Sequence, residues 1–178
     1  MPAVKHKQKA VFFDRDGVIN HLVKRDSSYY SPQKFEDFKI VNDAKEVVNH
    51  VHEMGYLAII ISNQPDISRG KLAQSELDKM TDMLYKELNI DDVFYCIHDD
   101  DNDTGCRKPA PGLFYTAQKK DNIDLNKSFM IGDTWKDVEA AKNAGISMIL
   151  IRKDYNKELV VENDVQNLSE AVSFINKS

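Results

Sequence analysis

Two carboxylates one residue apart close an apolar run near the start of the chain. Asp14 and Asp16, with Arg15 between them and Gly17 behind, follow Ala10-Val11-Phe12-Phe13. A buried strand that ends on acids is a place for a metal-assisted nucleophile, and Gly17 lets the backbone turn aside and leaves room for a charged ligand. A plain polar exit from a strand gives the same pair, so its meaning depends on the company it keeps. That company is Ser62-Asn63-Gln64, Arg107-Lys108 and Gly132-Asp133. A nucleophile, hydroxyl and amide donors, cations and a further carboxylate are the components of phosphoryl transfer. A phosphate monoester resists hydrolysis so strongly that its barrier must fall by on the order of 20 kcal/mol. A carboxylate nucleophile divides that task into formation and hydrolysis of an aspartyl phosphate. Its charge repels the incoming phosphate unless a hard cation such as Mg²⁺ lies between them, and Asp14 and Asp133 offer the oxygen ligands Mg²⁺ prefers. Lys108 then stands as a fixed positive charge on the transferring oxygens, with Ser62 donating a hydrogen bond.

These residues act together only if the fold brings their segments to one place. Apolar runs predict strands over 10–13, 56–62, 93–98, 128–131 and 147–151, and amphipathic spacing predicts helices over 43–54, 74–88, 112–120, 135–144 and 169–176. Strand and helix in alternation argue for an α/β fold with a parallel sheet covered on both faces. In such sheets ligands sit beyond the carboxyl ends of the strands. The unusual polar residues fall there: Asp14 and Asp16 after the first strand, Ser62 to Gln64 after the second, His98 at the end of the third and Asp133 after the fourth.

Composition sets the outer limits. With 178 residues, 42% hydrophobic and 30% charged, the chain suits one well-cored domain spanning 1–178, with an extended or disordered lead-in over about 1–8 that carries Lys5 and Lys7. No apolar run approaches ~20 residues and no segment of signal-peptide type opens the chain, so neither membrane insertion nor export is indicated and a cytoplasmic protein is expected, as a monomer. Two cysteines speak for a reducing compartment and against a disulfide framework. A net charge of -5 offers no footprint for nucleic acid, so a small anionic substrate must be met by local cations and a metal.

Taken together, Asp14-Arg15-Asp16-Gly17, Ser62-Asn63-Gln64, Arg107-Lys108-Pro109 and Gly132-Asp133-Thr134-Trp135-Lys136-Asp137 resemble the four ordered motifs of the haloacid dehalogenase-type phosphatases, over about residues 10–150. The stretches SNQPDISRG (62–70) and CRKPAPGL (106–113) are similar to the D,D-heptose 1,7-bisphosphate phosphatases, and histidinol-phosphate phosphatases share much of the pattern. The resemblance implies a Rossmann-like three-layer core without a large cap domain. It also implies Mg²⁺-dependent removal of the 7-phosphate of a heptose bisphosphate in activated-heptose synthesis, with histidinol phosphate or another small phosphomonoester as the alternative substrate. A silent relative that only binds a phosphorylated ligand is the remaining class.

Residue by residue, the resemblance makes Asp14 the nucleophile and a Mg²⁺ ligand. Asp16 becomes the general acid and base, with its backbone carbonyl on the metal, and Asp133 the further ligand. Ser62 and Lys108 match the pair that stabilises the phosphoryl group. Arg107 matches the substrate-recognition residue, and Arg15, Tyr30, Asn63 and Gln64 match positions near the substrate. For Asp137, holding metal-bound water or orienting Lys108 stands beside the simpler role of an acid in a helix's first turn.

The cysteines fit a partial zinc set. Relatives carry Cys-x-His and then Cys-x-Cys before the Arg-Lys pair. Here Cys96, His98 and Cys106 keep three ligands and Thr104 replaces the fourth. Structural zinc, two free thiols and a Cys96 to Cys106 disulfide are all open at this point, the last disfavoured in a reducing compartment. In each case the loop shapes the substrate entrance and places Arg107. The acidic run 99–103 reads as a solvated loop, since its spacing fails the calcium-loop pattern. Trp135 either lines the site or packs under the first turn of its helix, the second being favoured.

Overall fold

The structure is a computed structural model that describes residues 6–177. Its centre is a six-stranded parallel sheet made of β1 (Lys9–Phe13), β4 (Tyr56–Asn63), β5 (Asp92–Cys96), β6 (Phe129–Gly132), β7 (Ser147–Ile151) and β8 (Asp164–Val165). The middle strands are near-continuous apolar runs because both of their faces are covered. On one face α1 (Ala44–Glu53), α2 (Gln74–Leu88) and α5 (Leu168–Ile175) pack against Val11, Phe13, Ile60, Ile131 and Ile149. On the other, α3 (Gly112–Asp121) and α4 (Trp135–Ala144) pack against Ala10, Phe12, Ile59, Ile61 and Met130. This is the three-layer α/β core expected from the alternating pattern.

Strand order is β5-β4-β1-β6-β7-β8, so the chain winds outward from β1 in one direction and then returns to wind outward in the other. A crevice opens where the direction reverses, at the carboxyl ends of β1, β4 and β6. The register fixes what meets there. Phe13 lies level with Ile60 on β4 and with Ile131 on β6, so the residues just past each of them emerge side by side.

Helix ends follow local chemistry. Thr134 caps α4 in a reciprocal capping box with Asp137, while α2 and α3 stop at Asn89 and Asn122, which take the left-handed conformation asparagine tolerates.

Two features were not foreseen. A hairpin of β2 (Val23–Arg25) and β3 (Ser28–Tyr30) rises between β1 and α1 over the crevice, and the two-residue β8 extends the sheet edge. Both are too short to leave a periodic signal. The third predicted strand ends at Cys96, so His98 lies in the following loop. Of the expected lead-in, residues 1–5 lie outside the described residues. Gln8 is already tied down, donating from its backbone to Asn122 O at 2.9 Å and accepting from Asp124 N at 2.8 Å. Among the described residues no helix is long and apolar enough to cross a membrane.

Candidate active site

The crevice holds a cavity of about 600 Å³ whose walls include Asp14, Asp16, Ser62, Arg107, Lys108 and Asp133. Six residues from four separate segments, singled out by type and position, therefore share one space.

At its floor is a charge cluster. The Lys108 ammonium, 3% exposed, donates to Asp14 Oδ1 at 2.8 Å and to Asp137 Oδ1 at 2.6 Å. Carboxylate oxygens of Asp14, Asp133 and Asp137 lie within 4.8 Å of one another. Asp137 is fully buried, and its second oxygen accepts from the backbone of Asp133 and Thr134 and from the Thr134 hydroxyl. Its role is thus to orient Lys108 and to brace the β6–α4 turn. Gly132 allows this closeness, since a Cβ there would stand 2.5 Å from that of Asp137. Gly17 has φ +91°, and a Cβ on it would come within 2.2 Å of Asp133 Oδ2. The room that glycine was expected to leave is filled by the side chain of the fourth motif.

Charge crowding displaces the titrations. Burial raises the Asp14 pKa, Asp137 adds to it, and Lys108 pulls against both. Asp133 is pushed up to about 7 by burial and then by Asp137. Burial alone would lower the Lys108 pKa, but Asp137 and Asp14 outweigh it and hold the ammonium protonated. Three acids with one buried cation form a site short of positive charge. Asp133 Oδ1 is buried without a hydrogen-bond partner, and an orphaned carboxylate oxygen among hard oxygen donors suits Mg²⁺.

Several expected substrate contacts do something else. Arg15 is completely buried and pairs with Asp16, so it does not face a ligand. Gln64, 2% exposed, donates to Asp16 Oδ2 at 2.7 Å and to Ser62 Oγ at 2.9 Å. Asn63 lines the cavity and also grips the backbone of Lys108, accepting from its N at 3.0 Å and donating to its O at 2.9 Å. Side chains alternate along a strand, and on β3 it is Tyr29 that faces the main cavity. Tyr30 lines the neighbouring depression beside Gln64 and Pro65. Arg107 stays at the wall, with Nε on Asp100 at 2.7 Å and Nη1 buried and unpartnered.

The zinc expectation is corrected. Cys96 and Cys106 are joined as a disulfide, so the thiolates a zinc ion needs are not free, and His98 stands outside the acid and sulfur group of that loop. The acidic run is also more than a solvated loop. Asp100 holds Arg107, Asp103 accepts from the Arg107 backbone at 3.1 Å, and Asp99 takes Arg69 at 2.7 Å. Arg69 is the main reason the Asp99 pKa falls to about 2. Trp135 is 51% exposed and so does not pack beneath its helix.

Tyr155, like Tyr29, is a site residue that sequence reasoning missed. It follows β7, its hydroxyl donates to Asp133 Oδ2, and its ring meets Tyr29 of the hairpin at a centroid distance of 5.9 Å. The next residue, Asn156, donates to Asp133 O at 2.8 Å. The strand-end rule that located Asp14, Asp16, Ser62 and Asp133, extended to a fifth strand, reaches this stretch.

Comparison with known proteins places the chain in context. A family model described as haloacid dehalogenase-like hydrolase matches residues 21–145. The D-glycero-beta-D-manno-heptose-1,7-bisphosphate 7-phosphatase of Helicobacter pylori is 37% identical over 149 residues, covering 80% of this chain and 83% of that protein. The D-glycero-alpha-D-manno-heptose-1,7-bisphosphate 7-phosphatase of Campylobacter jejuni is 33% identical over 173 residues, with 94% and 96% covered. Among solved structures, the D,D-heptose 1,7-bisphosphate phosphatase of B. bronchiseptica, complexed with magnesium and phosphate, superposes with a TM-score of 0.82 at 22% identity, covering 95% of this chain and 98% of that one.

Proposed function

The chain belongs to the haloacid dehalogenase-like hydrolases, and on that premise we propose that this phosphoric monoester hydrolase removes the 7-phosphate of D-glycero-D-manno-heptose 1,7-bisphosphate in activated-heptose synthesis. The observation that carries the chemistry is the Lys108 ammonium held between Asp14 and Asp137 in a cavity shared with Ser62, Asp16 and Asp133. The substrate rests on the relatives, which act on both anomers by name. Arg107, a cation that lines the cavity, supports a second anionic group on the substrate.

Asp14 attacks phosphorus and the bond to the sugar oxygen breaks, while Asp16 gives that oxygen its proton. Water then attacks the aspartyl phosphate, releases Asp14 and returns a proton to Asp16. Lys108 and the Ser62 hydroxyl hold the equatorial oxygens as charge shifts across them. Asp14 and Asp133, with the Asp16 carbonyl, are the residues that would hold Mg²⁺, which when bound neutralises charge between carboxylates and phosphate.

The test compares both heptose bisphosphate anomers with histidinol phosphate by kcat/KM, alongside Asp14→Asn. A heptose bisphosphate is expected to lead by at least tenfold, and Asp14→Asn to release no phosphate while keeping the native circular dichroism spectrum. Histidinol phosphate in the lead would overturn the substrate, and surviving turnover in Asp14→Asn would overturn the covalent mechanism.

A further inference from the structure

Asp16 is held by more hydrogen bonds than a loop carboxylate needs. Arg15 donates to its Oδ1 from Nε at 3.1 Å and from Nη2 at 2.9 Å, and to its Oδ2 from Nη2 at 3.0 Å. Asn20 Nδ2 adds a bond to Oδ1 at 3.0 Å, and Gln64 Nε2 one to Oδ2 at 2.7 Å. The donors themselves are sealed in. Arg15 and Asn20 have no exposure, Gln64 has 2%, and the guanidinium lies 5.4 Å from the centre of the Phe38 ring and 5.7 Å from that of Tyr95. Asp16 nonetheless lines the cavity.

The cage is assembled from two strand ends. Arg15 and Asn20 belong to the turn after β1, where the backbone N–H groups of Val18, Ile19 and Asn20 all point at Arg15 O. Gln64 comes from the end of β4, and the same amide that grips Asp16 also donates to Ser62 Oγ. Stability alone does not account for this arrangement, because a buried Arg–Asp pair is often no better than apolar groups of the same volume. What such a pair fixes is geometry: a fork of donors defines both the place and the plane of a carboxylate.

We propose that Arg15, Asn20 and Gln64 are positioning residues that aim the Asp16 carboxyl at the oxygen to which it gives, and the water from which it takes, a proton. Gln64 also ties that aim to Ser62. The proposal rests on Asp16 being the proton carrier, as argued above. Its signature follows from the proton balance of the two half-reactions. When a sugar alkoxide leaves, the P–O bond breaks as Asp16 supplies the proton, so phosphoenzyme formation depends on the cage. When p-nitrophenolate leaves, no proton is required, so formation is independent of the cage. Hydrolysis of the phosphoenzyme needs a proton taken from water in both cases.

The experiment follows the pre-steady-state time course, with substrate in excess, of the wild-type protein, Gln64→Met, Arg15→Met and Asp16→Asn with Mg²⁺, using heptose 1,7-bisphosphate and p-nitrophenyl phosphate. Wild-type turnover of the bisphosphate checks the substrate independently. Gln64→Met and Arg15→Met are expected to slow the sugar reaction 10- to 100-fold. Their first burst of p-nitrophenolate should fall less than the sugar reaction, staying within about threefold of wild type in Arg15→Met and dropping somewhat further in Gln64→Met, where Ser62 also loses a partner, and should then stall as the phosphoenzyme accumulates. Gln64→Met removes no charge and keeps side-chain volume, so it reports even where Arg15→Met yields no folded protein. If the burst slows as much as the sugar reaction, or if neither changes, the residues do not position Asp16. If Asp16→Asn itself lacks the pattern of intact burst and stalled turnover, the assignment of Asp16 falls and the proposal falls with it. A normal Asp16→Asn pattern with unchanged cage variants overturns the cage alone.

Discussion

Lys108 carries a disproportionate share of the site, because it is the one buried cation set among Asp14, Asp133 and Asp137. Lys108→Met leaves those carboxylates without it. We expect kcat to fall by at least 100-fold and stability to fall by about 3–5 kcal/mol, the usual cost of stripping one partner from a buried ion pair, as read by urea denaturation with and without Mg²⁺. Tyr155 acts one layer further out. Its hydroxyl occupies Asp133 Oδ2 and leaves Oδ1 to face a metal, so Tyr155→Phe frees the carboxylate to rotate. Titration calorimetry on metal-stripped protein should show Mg²⁺ binding about 10- to 100-fold weaker, the range for losing a partner of a metal ligand. Unchanged affinity would make the contact incidental.

At the scale of elements, the 96–107 loop is tied at both ends: the disulfide joins β5 to the residue before Arg107, and Asp100 and Asp103 hold Arg107 itself. Replacing both cysteines by alanine releases a short closed loop, for which chain entropy gives roughly 2–3 kcal/mol of lost stability. The larger functional effect should fall on KM for the bisphosphate, since Arg107 loses its seat while Lys108 keeps its grip from Asn63. A drop in kcat alone would contradict this. Much of the positioning was legible in the sequence. Buried parallel strands are apolar runs, ligands gather at their carboxyl ends, and Asp14, Asp16, Ser62 and Asp133 therefore met where the pattern put them, whereas His98, placed at the third strand end, does not line the cavity and Lys108 reaches it from the loop beyond. Orientation was not legible. Arg15 and Gln64 reached the right neighbourhood but turned inward onto Asp16, Arg15 beside the sequence-distant rings of Phe38 and Tyr95. Tyr29 displaced Tyr30 because period-two alternation needs a register that three-residue strands do not announce. The cysteine pairing stayed open because spacing fits a metal, two thiols or a bond equally well.

For the molecule as a whole, the metal-binding face is a place where folding and function oppose each other. Asp133 is buried beside Asp137 and keeps its proton up to about 7 in the metal-free protein, against an ordinary 3.8. Between those two values the folded state binds more protons than the unfolded one, so metal-free stability must fall as pH rises through that window and level off above it. The one-group ceiling on that loss is about 4 kcal/mol. Mg²⁺ requires the ionised carboxylate and binds the folded state, so its stabilising effect should grow with pH over the same window and exceed the loss once its concentration is well above Kd. Asp133→Asn separates the two effects. It removes the Asp133 charge and with it that residue's share of the downward slope in the metal-free protein, leaving the share of Asp14, and it removes the response to Mg²⁺. Calorimetric Tm values from pH 4.5 to 8, with EDTA and with excess Mg²⁺, should show the variant more stable than wild type in EDTA at pH 8, unmoved by Mg²⁺, and inactive. If the EDTA curve of the wild-type protein instead falls no more steeply with pH than that of Asp133→Asn, the Asp133 carboxylate is ionised in the metal-free fold, and the crowding of acids is not what makes the site demand a cation.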